Sequence, residues 1–377
     1  MRKLFTTIIF VLLILKPCVI FASLELSAKS AVLIDGETGR VIYSKNSDEK
    51  LPMASTTKII TALTAINNGN LSDVVTVSEN AATTEGSSVW LSAGEKLKLS
   101  ELLYALMLES GNDASVAIAE HVGGSVTAFS EMMNELCKQA GAFSTNCVTP
   151  SGLDDELHYT TAGDLAKIAR LAMQSDVFRE IVSTYKTTIP WEGNDWDRTL
   201  VNHNKLLNIY EGADGIKTGY TKKSGRCLVS SAEKDGWRLI AVTLNAPDDW
   251  NDHVKMLDYG FENFKEEEIL IQPDTILGKI PAPGSKLKDI AYRAKEVVKI
   301  KKLSDNINYR FDMKIPKEIS LPLGKDEKIG SLDIYIDENF YKSVDLYTLE
   351  NAEQDDYKYI FGANFKKLLK TLLYLVR

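Results

Sequence analysis

The chain of 377 residues is long enough for more than one hydrophobic core, and its formal net charge of −8 makes it a poor candidate for nucleic-acid binding. Its apolar and charged fractions, 44% and 25%, are those of an ordinary globular protein. The four histidines are scattered and no CxxC pair occurs, so the sequence implies no metal site.

The N-terminus has the three parts of a secretory signal peptide. Arg2 and Lys3 precede an apolar stretch over 4–15, and a small-residue cleavage site follows around Ala22. The alternative is an uncleaved membrane anchor, but the apolar run is short for a helix that spans a bilayer. We therefore predict export, with residues 1–22 removed as a signal peptide.

The predicted elements then change type twice along the chain. Two strands joined by a turn are predicted over 31–45, a mostly helical block over 56–185, and strands again in GADGIKTGY, RCLVSSAEK and WRLIAVTLNA. A closing helix in MLDYGFENF ends this first domain, which we place at 23–264. The order predicts an α+β fold in which an antiparallel sheet is flanked by helices.

The remainder of the chain has a different texture. Short alternating segments separated by Pro-, Gly- and Asp-rich turns predict a small all-β sandwich domain over 265–355. The last segment, 356–377, has apolar residues on one helical side and lysines on the other, which suits an amphipathic helix lying in the membrane interface. The alternative is a helix packed on the protein's own core. That alternative would not explain why cations crowd one face of an acidic protein, so we favour the membrane.

Three cysteines remain after the predicted signal peptide: Cys137, Cys147 and Cys227. An odd number without paired spacing argues against a disulfide framework and against a zinc site. Cys137 and Cys147 could pair in an oxidising compartment, but three buried free thiols are the simpler expectation.

Three short polar motifs carry the candidate chemistry. In the first motif, Ser55 and Lys58 are three residues apart at the start of a predicted helix, so that hydroxyl and ammonium share one face. The lysine can act as a base for the serine only if burial or another cation holds it neutral. The alternative, a helix cap followed by a surface lysine, is the better interpretation of this pair taken alone.

The other two motifs also have simple alternatives. Ser110 and Asn112 lie at a predicted break between helices, where they could face a cleft or cap the second helix. Lys217, Thr218 and Gly219 lie in a predicted strand, where they could supply a second cation, a carboxylate ligand and room for substrate, or form a solvated edge. Because all three motifs occur together and in this order, they favour a serine enzyme.

With these motifs, the chain resembles the low-molecular-mass penicillin-binding proteins, the serine-type D-alanyl-D-alanine carboxypeptidases. The likeness runs over 31–264 and includes PMASTTKIITALTAI, SGNDASVAIAEHV and GADGIKTGYTKKSGRCLVSSAEKDG. It implies a β-lactamase/transpeptidase-like fold. The β-rich tail and terminal helix are similar as well, and imply a membrane-proximal sandwich and an anchor. The segment NAPDDWNDH resembles a subgroup associated with spore cortex maturation.

The resemblance implies a role for each motif residue. Ser55 would be the acylated nucleophile, Lys58 its general base and Ser110 a catalytic partner that passes on a proton. A second set of residues would bind the substrate: Asn112, Lys217, Thr218, Gly219 and Tyr220. The backbone N–H groups of Ser55 and Tyr220 would form the oxyanion hole, and no cofactor would be needed.

The chain departs from the family's pattern in one loop. Many members carry an arginine after the last strand of the sheet, but the loop APDDWNDHVK has none. Carboxylate recognition would then rest on Lys217 and Thr218, with His253 as a further candidate. His158 matches a family position near the cleft, and we expect it to give structural support. Trp90 could line the cleft or pack, and we expect packing.

The implied protein is an exported serine carboxypeptidase, peripheral on the outer face of the cytoplasmic membrane, that removes the terminal D-alanine from peptidoglycan pentapeptide stems. β-Lactams mimic the terminal dipeptide and would acylate Ser55. A β-lactamase is disfavoured because PSGLDDELHYTT lacks the glutamate–asparagine pattern of those enzymes, and a non-catalytic wall-binding protein because no motif has decayed. A transpeptidase stays open, because an amine competes with water for the same acyl-enzyme.

Overall fold

The structure, a computed structural model, describes residues 24–303 and 307–354 together with Phe365. The predicted signal peptide (1–22) and, apart from Phe365, the predicted anchor helix (356–377) lie outside the described residues. Within the described residues, the helices α1–α9 are Lys58–Asn68, Glu79–Ala82, Leu99–Leu108, Asn112–Gly123, Val126–Gln139, Ala162–Ala172, Asp176–Ser183, Leu206–Ile209 and Asp249–Asn263.

The strands of the first domain lie before, within and after the helical block. Strands β1–β9 are Ser30–Asp35, Val41–Lys45, Val74–Thr76, Lys96–Lys98, Lys186–Ile189, Arg198–Val201, Ala213–Thr221, Gly225–Lys234 and Trp237–Leu244. The remaining strands, β10–β16, are Glu267–Ile271, Ile276–Pro281, Asp289–Ala294, Val298–Lys301, Tyr309–Lys314, Lys328–Ile336 and Asn339–Thr348.

A five-stranded antiparallel sheet organises the first domain and confirms the predicted α+β class. Its strand order is β2-β1-β9-β8-β7, so the first hairpin of the chain pairs with the last strand of the domain. In that pairing Val32 lies opposite Val242. The helical block is therefore an insertion between β2 and β7, and β7 forms one edge of the sheet.

Alternating side chains give this sheet two apolar faces. Val32 and Ile34 pack into the cluster that contains α1 and α3–α6, whereas Ala31 and Leu33 pack with Met256 of α9. A strand with period-2 alternation and helices on both sides has this pattern. The closing helix predicted from MLDYGFENF is confirmed, but it begins earlier, at Asp249.

Helix α1 runs through the interior of the domain. Its residues from Lys58 to Ala65 are all buried, which is typical of a helix surrounded by other elements and not of a surface helix. Lys58 is the first residue of α1, so the helix begins by carrying an amine into the core. In the described part of the chain, no helix is both long and apolar enough to cross a bilayer.

One hairpin was not predicted. Strands β5 and β6 pair antiparallel, with Ile189 opposite Arg198, and the loop 190–197 connects them. The loop sequence PWEGNDWD has neither a period-2 nor a period-3.6 pattern, so it gave no signal for the flanking strands.

The second domain is built from strands alone within the described residues. Strands β10 and β13 form a two-stranded sheet, and β11-β12-β16-β15-β14 form a five-stranded one. Ile271 and Val298 of the small sheet share a hydrophobic cluster with Ile290 and Val344 of the large sheet. The predicted all-β structure of this part of the chain is confirmed, although β10 and β12 were not predicted as separate strands.

Candidate active site

Ser55 lies in a single 3₁₀ turn, Ala54–Thr57, that leads directly into α1. Thr57 Oγ1 donates to the Ala54 carbonyl oxygen at 2.7 Å, which closes the turn. Ala54 has a φ of 46°, in the left-handed region that non-glycine residues rarely adopt. Neither this turn nor α1 has a side-chain cap, so the interpretation of Ser55 as a helix cap is wrong.

The amine of Lys58 has three oxygen neighbours. Lys58 Nζ lies 2.9 Å from Ser55 Oγ, 2.7 Å from Asn112 Oδ1 and 2.7 Å from the Ser151 carbonyl oxygen. A neutral amine has two protons and one lone pair. If the protons go to the amide and the carbonyl oxygen, the lone pair is left to accept the Ser55 proton.

The surroundings of Lys58 favour that neutral form. Burial, and then the positive charge of Lys217, hold the pKa of Lys58 well below its ordinary value, while the carboxylate of Asp113 acts in the opposite direction. The second-cation effect predicted from the sequence is therefore present, but burial is the larger cause.

Strand β7 brings the third motif against the serine. A Cβ added at Gly219 would lie 3.1 Å from the backbone nitrogens of Ser55 and Thr56, so the strand passes the 3₁₀ turn at a distance that suits glycine. Lys217 is buried in this strand and donates from Nζ to the Thr218 carbonyl oxygen at 3.1 Å. Burial lowers the pKa of Lys217 to about 7.

A cleft of about 360 Å³ brings five of the eight predicted residues together, whereas Lys58, Asn112 and Lys217 are buried and do not line it. Its lining includes Ser55, Ser110, Thr218, Gly219 and Tyr220. Residues from a helix start, a helix–helix break and an edge strand thus meet at one site, as the three motifs predicted. Ser110 adopts a φ of 63°, a left-handed conformation for a non-glycine residue at this break.

Asn112 lies behind Ser110 and contacts the lysine. Its Oδ1 atom accepts from Lys58, and its Nδ2 atom donates to the Glu85 carbonyl oxygen at 2.6 Å. Gly86 makes room for this amide, because a Cβ there would lie 2.5 Å from Asn112 Nδ2. The contacts give Asn112 a clear part in orienting Lys58, and its predicted contact with substrate stays a prediction.

His158 supports the turn that holds the serine. The Val148 backbone N–H donates to His158 Nδ1 at 3.0 Å, so Nε2 carries the proton and points at Thr57 Oγ1, 2.8 Å away. Burial lowers the pKa of His158 to about 4, which keeps the ring neutral near pH 7. These contacts agree with the structural support expected of this residue.

His253 does not reach the cleft, and its suggested part in carboxylate recognition is wrong. It is fully buried between α9 and the sheet, with Nδ1 2.6 Å from Ser230 Oγ and Nε2 2.9 Å from Thr243 Oγ1. Helix α9 packs on the face of the sheet opposite α1, so a residue on its inner side points away from Ser55.

Arg226 is a cleft residue that the sequence reasoning missed. It lines the same cleft as Ser55, and its side chain is 42% exposed. Asp249 holds the guanidinium through Nε at 2.9 Å and Nη2 at 2.8 Å. The available signal was the strand register, in which Arg226 lies opposite Tyr220 in the β7–β8 hairpin. We expect this arginine to supply the charge that the loop after β9 lacks.

Trp90 is also placed differently from the expectation. We expected it to pack, but its side chain is 76% exposed and lines a cavity next to the cleft. Its φ is 63°, so the chain turns sharply at this residue and points the ring outward.

The described cysteines Cys137, Cys147 and Cys227 are buried and free, the simpler of the two alternatives. The neighbouring Cys137 thiol and burial hold the pKa of Cys147 well above its ordinary value, and burial raises that of Cys227 to about 11. Within 24–303 and 307–354, no group of three or more His, Cys, Asp or Glu side chains is arranged to hold a metal ion.

Comparison with known proteins agrees with this geometry. The family model described as D-alanyl-D-alanine carboxypeptidase matches residues 19–248. The chain belongs to this family. It is accordingly a hydrolase of the D-alanyl-D-alanine carboxypeptidase type, with the penicillin-binding character of that family.

Two curated relatives extend the similarity beyond the first domain. The carboxypeptidase DacF of Bacillus subtilis is 38% identical over 315 residues, which cover 81% of this chain and 80% of the relative. The carboxypeptidase DacC of Escherichia coli is 30% identical over 349 residues, or 88% of this chain and 85% of the relative.

Solved structures show the same fold. Penicillin binding protein 5 from Haemophilus influenzae superposes with a TM-score of 0.65 at 27% identity, covering 88% of this chain and 98% of that one. A variant of a Streptomyces DD-transpeptidase gives a TM-score of 0.60 at 32% identity, covering 63% of this chain and 99% of that one. The carboxypeptidase fold, including a sheet-rich second domain, is therefore shared with known structures.

The pKa of Lys217 predicts a pH dependence of activity. A lysine is charged below its pKa and neutral above it, so Lys217, the cation that we expect to attract the substrate carboxylate, loses its charge as the pH rises through about 7 in the free enzyme. We expect kcat/KM for a D-Ala-D-Ala peptide to fall on the alkaline side by up to about tenfold per pH unit. In Lys217→Arg the cation persists, and the alkaline fall should disappear. An unchanged alkaline fall in this variant would contradict the role of Lys217.

Arg226 predicts a loss of affinity that depends on the substrate's terminal carboxylate. In Arg226→Gln, KM for a peptide ending in D-Ala-D-Ala should rise about tenfold, the value of one hydrogen bond to a charged group. The same peptide with a C-terminal amide should show no such rise. Lys223→Gln, which removes an exposed charge from the adjacent turn, is the matched control. Equal losses on both peptides would exclude carboxylate recognition by Arg226.

Proposed function

We propose that this chain releases the terminal D-alanine from peptidoglycan pentapeptide stems through an acyl-enzyme at Ser55. The observation that carries the proposal is the buried Lys58 amine, 2.9 Å from Ser55 Oγ and held below its ordinary pKa by burial and Lys217. A serine hydroxyl becomes an effective nucleophile when a neighbouring base accepts its proton, and a neutral lysine can be that base.

Acylation follows from this pair. Ser55 Oγ attacks the carbonyl carbon between the two D-alanines while its proton moves to Lys58 Nζ. The C–N bond then breaks, and the leaving nitrogen takes up a proton through Lys58 or Ser110. A water molecule next attacks the acyl carbon and gives up a proton, the ester bond to Ser55 breaks, and Ser55 Oγ takes up a proton as the shortened stem leaves.

In the proposed mechanism, backbone N–H groups stabilise the negative charge that develops on the carbonyl oxygen. The N–H groups of Ser55 and Tyr220 are the donors, since Gly219 lets β7 approach the serine turn. At the other end of the dipeptide, Thr218 and Arg226 line the cleft and Lys217 lies buried below them, a set suited to the terminal carboxylate.

We expect β-lactams to inhibit the enzyme. They mimic the terminal dipeptide, so the ring carbonyl is attacked by Ser55 and the resulting ester hydrolyses slowly. The same acyl-enzyme permits transpeptidation when an amine replaces water, and the similarity to a Streptomyces DD-transpeptidase keeps this second outcome open.

The place of action within the wall is a further part of the proposal. The segment NAPDDWNDH resembles a subgroup associated with spore cortex maturation, so the substrate is peptidoglycan of the cell wall or of the cortex. The lengths of stem peptides in wall and cortex from cells that lack the protein will distinguish the two: unchanged pentapeptide content in both would count against either role.

Replacing the nucleophile tests the central step. Ser55→Ala should reduce release of D-alanine from a diacyl-Lys-D-Ala-D-Ala peptide to background and abolish labelling by a fluorescent penicillin, because no ester can form. Free D-alanine and the labelled band are measured in parallel. Ser87→Ala, which removes another hydroxyl from the same cleft, should keep both signals.

Three results would reject or redirect this assignment. Release of D-alanine by Ser55→Ala, or none by the wild type, would contradict it. Rapid turnover of penicillin without release of D-alanine would instead indicate a β-lactamase. Adding an amine acceptor and measuring its incorporation separates transpeptidation from hydrolysis.

We place the protein outside the cytoplasmic membrane, peripheral on its outer face. The support is the signal-peptide pattern of 1–22 and the basic amphipathic pattern of 356–377. Deleting 356–377 should move the protein from the membrane pellet to the soluble fraction, with D-alanine release retained. Continued sedimentation of the truncated protein with membranes would show that these residues are not the anchor.

A further inference from the structure

Next to the catalytic cleft lies a group of tryptophans that the reaction above does not use. Trp90, Trp191 and Trp196, here called the tryptophan platform, together line a cavity of about 400 Å³. A second cavity, of about 670 Å³, shares Trp191 and Trp196 and extends over the loop 190–197. Both volumes fall within the roughly 300–1,000 Å³ typical of small-molecule sites.

The platform continues the catalytic cleft. Ser87 lines the cleft that contains Ser55, and Ser88 lines the platform cavity. Glu109 lines the platform cavity, and the next residue, Ser110, lines the cleft. A ligand bound at Ser55 can therefore extend onto the tryptophans without leaving the surface of the domain.

The outward position of Trp90 is unfavourable in two respects, its backbone conformation and its exposure to water. Its backbone is in the left-handed region, with a φ of 63°, and its large apolar ring is 76% exposed. The carboxylate of Asp113 fixes the segment, since the backbone N–H groups of Val89 and Leu91 both donate to Asp113 Oδ2 at 3.1 Å. Such an imposed conformation points to a function for the ring.

A buried arginine joins Trp90 to the loop on the other side of the platform. Arg198 donates to Glu95 at 3.0 Å, and both side chains are nearly inaccessible to solvent. The same guanidinium lies 3.3 Å from the Trp90 carbonyl oxygen and 4.8 Å from the Trp191 ring centre. The aromatic surfaces are thus preorganised, which lowers the entropy cost of binding a ligand.

The groups around the rings indicate the class of ligand. Glu192, Asn194, Asp195 and Asp197 form a rim of hydrogen-bonding oxygens and an amide, with Lys96 beside them. A sugar ring presents C–H groups on its face and hydroxyl groups at its edge, which fits an indole face inside a polar rim. The Trp191 face is not free for a cationic ligand, because it already holds the Arg198 guanidinium.

We propose that the tryptophan platform binds sugar rings of the glycan strand that carries the stem peptide. The inference rests on the proposed function, because peptidoglycan is the substrate that joins a D-Ala-D-Ala peptide to N-acetylated hexosamines. The stem peptide then occupies the cleft while one or two sugars lie against Trp90 and Trp196. The platform would favour glycan-linked stems over free peptides.

Two substrates test this in the full-length enzyme: a free pentapeptide and the same pentapeptide on its N-acetylated disaccharide. Release of D-alanine gives kcat/KM for each. The ratio of the disaccharide-linked to the free substrate should fall about three- to tenfold in Trp196→Ala and Trp90→Ala, the value of one lost aromatic contact. Trp196→Phe should restore part of the ratio. Phe143→Ala, which removes an exposed aromatic ring that lines neither cavity, should leave the ratio unchanged.

A binding measurement gives a readout that does not depend on catalysis. The peptide-free tetramer of N-acetylglucosamine should produce a saturable change in heat, measured by isothermal titration calorimetry, in wild type and in Ser55→Ala. The change should be lost or weakened in Trp196→Ala and kept in Phe143→Ala. If the wild type releases no D-alanine from either substrate, the proposed function fails. The titration still tests whether the tryptophan platform binds sugar.

Three outcomes would overturn the platform proposal. Unchanged substrate ratios in Trp90→Ala and Trp196→Ala, with normal circular dichroism, would show that the rings do not contact sugar. Equal losses on both substrates would show that the tryptophans shape the peptide cleft. Absence of any saturable response to the tetramer would overturn the proposal independently of the kinetics.

Discussion

The site depends on burying the amine of Lys58. Removing an ammonium from water costs several kcal/mol in a protein interior, so a buried lysine must either keep a full set of partners or release its proton. Lys58 has carbonyl-type oxygens from Asn112 and Ser151 for two N–H groups and the hydroxyl of Ser55 for the third position. The same desolvation that makes the amine expensive therefore makes it a base, and it places that base against a serine.

This arrangement needs close approach between segments that are distant in sequence. Gly219 lets the edge strand β7 pass the serine turn, and Gly152 lets the loop that carries the Ser151 carbonyl reach it from the other side. A Cβ at Gly152 would lie 2.0 Å from the Ala54 carbonyl oxygen, which no side chain permits. The left-handed conformation of Ala54 is held between these contacts, so backbone strain next to Ser55 is balanced by packing that spans the domain.

Features that are encoded in consecutive residues could be predicted from the sequence. Features that depend on how distant segments pack in three dimensions could not. Strands β7–β9 and the motif residues were predictable because apolar alternation and motif order are written in consecutive residues. His253 looked close to the cleft because it follows the last strand, but the turn into α9 places it on the far face of the sheet, where Ser230 and Thr243 bind it. Arg226 reaches the cleft through cross-strand register with Tyr220. The outward position of Trp90 depends on a positive φ, which a tryptophan gives no reason to expect.

Asp113 links the surroundings of Lys58 to the segment that carries Trp90. Its carboxylate accepts hydrogen bonds from Ser88 Oγ and from the backbone of Val89 and Leu91, and so holds the segment that presents Trp90. The same negative charge raises the pKa of Lys58 against the effects of burial and Lys217. One buried carboxylate therefore fixes the shape of the neighbouring surface and limits how far the pKa of Lys58 is lowered. Both effects act through the first turn of α4, which carries Asp113.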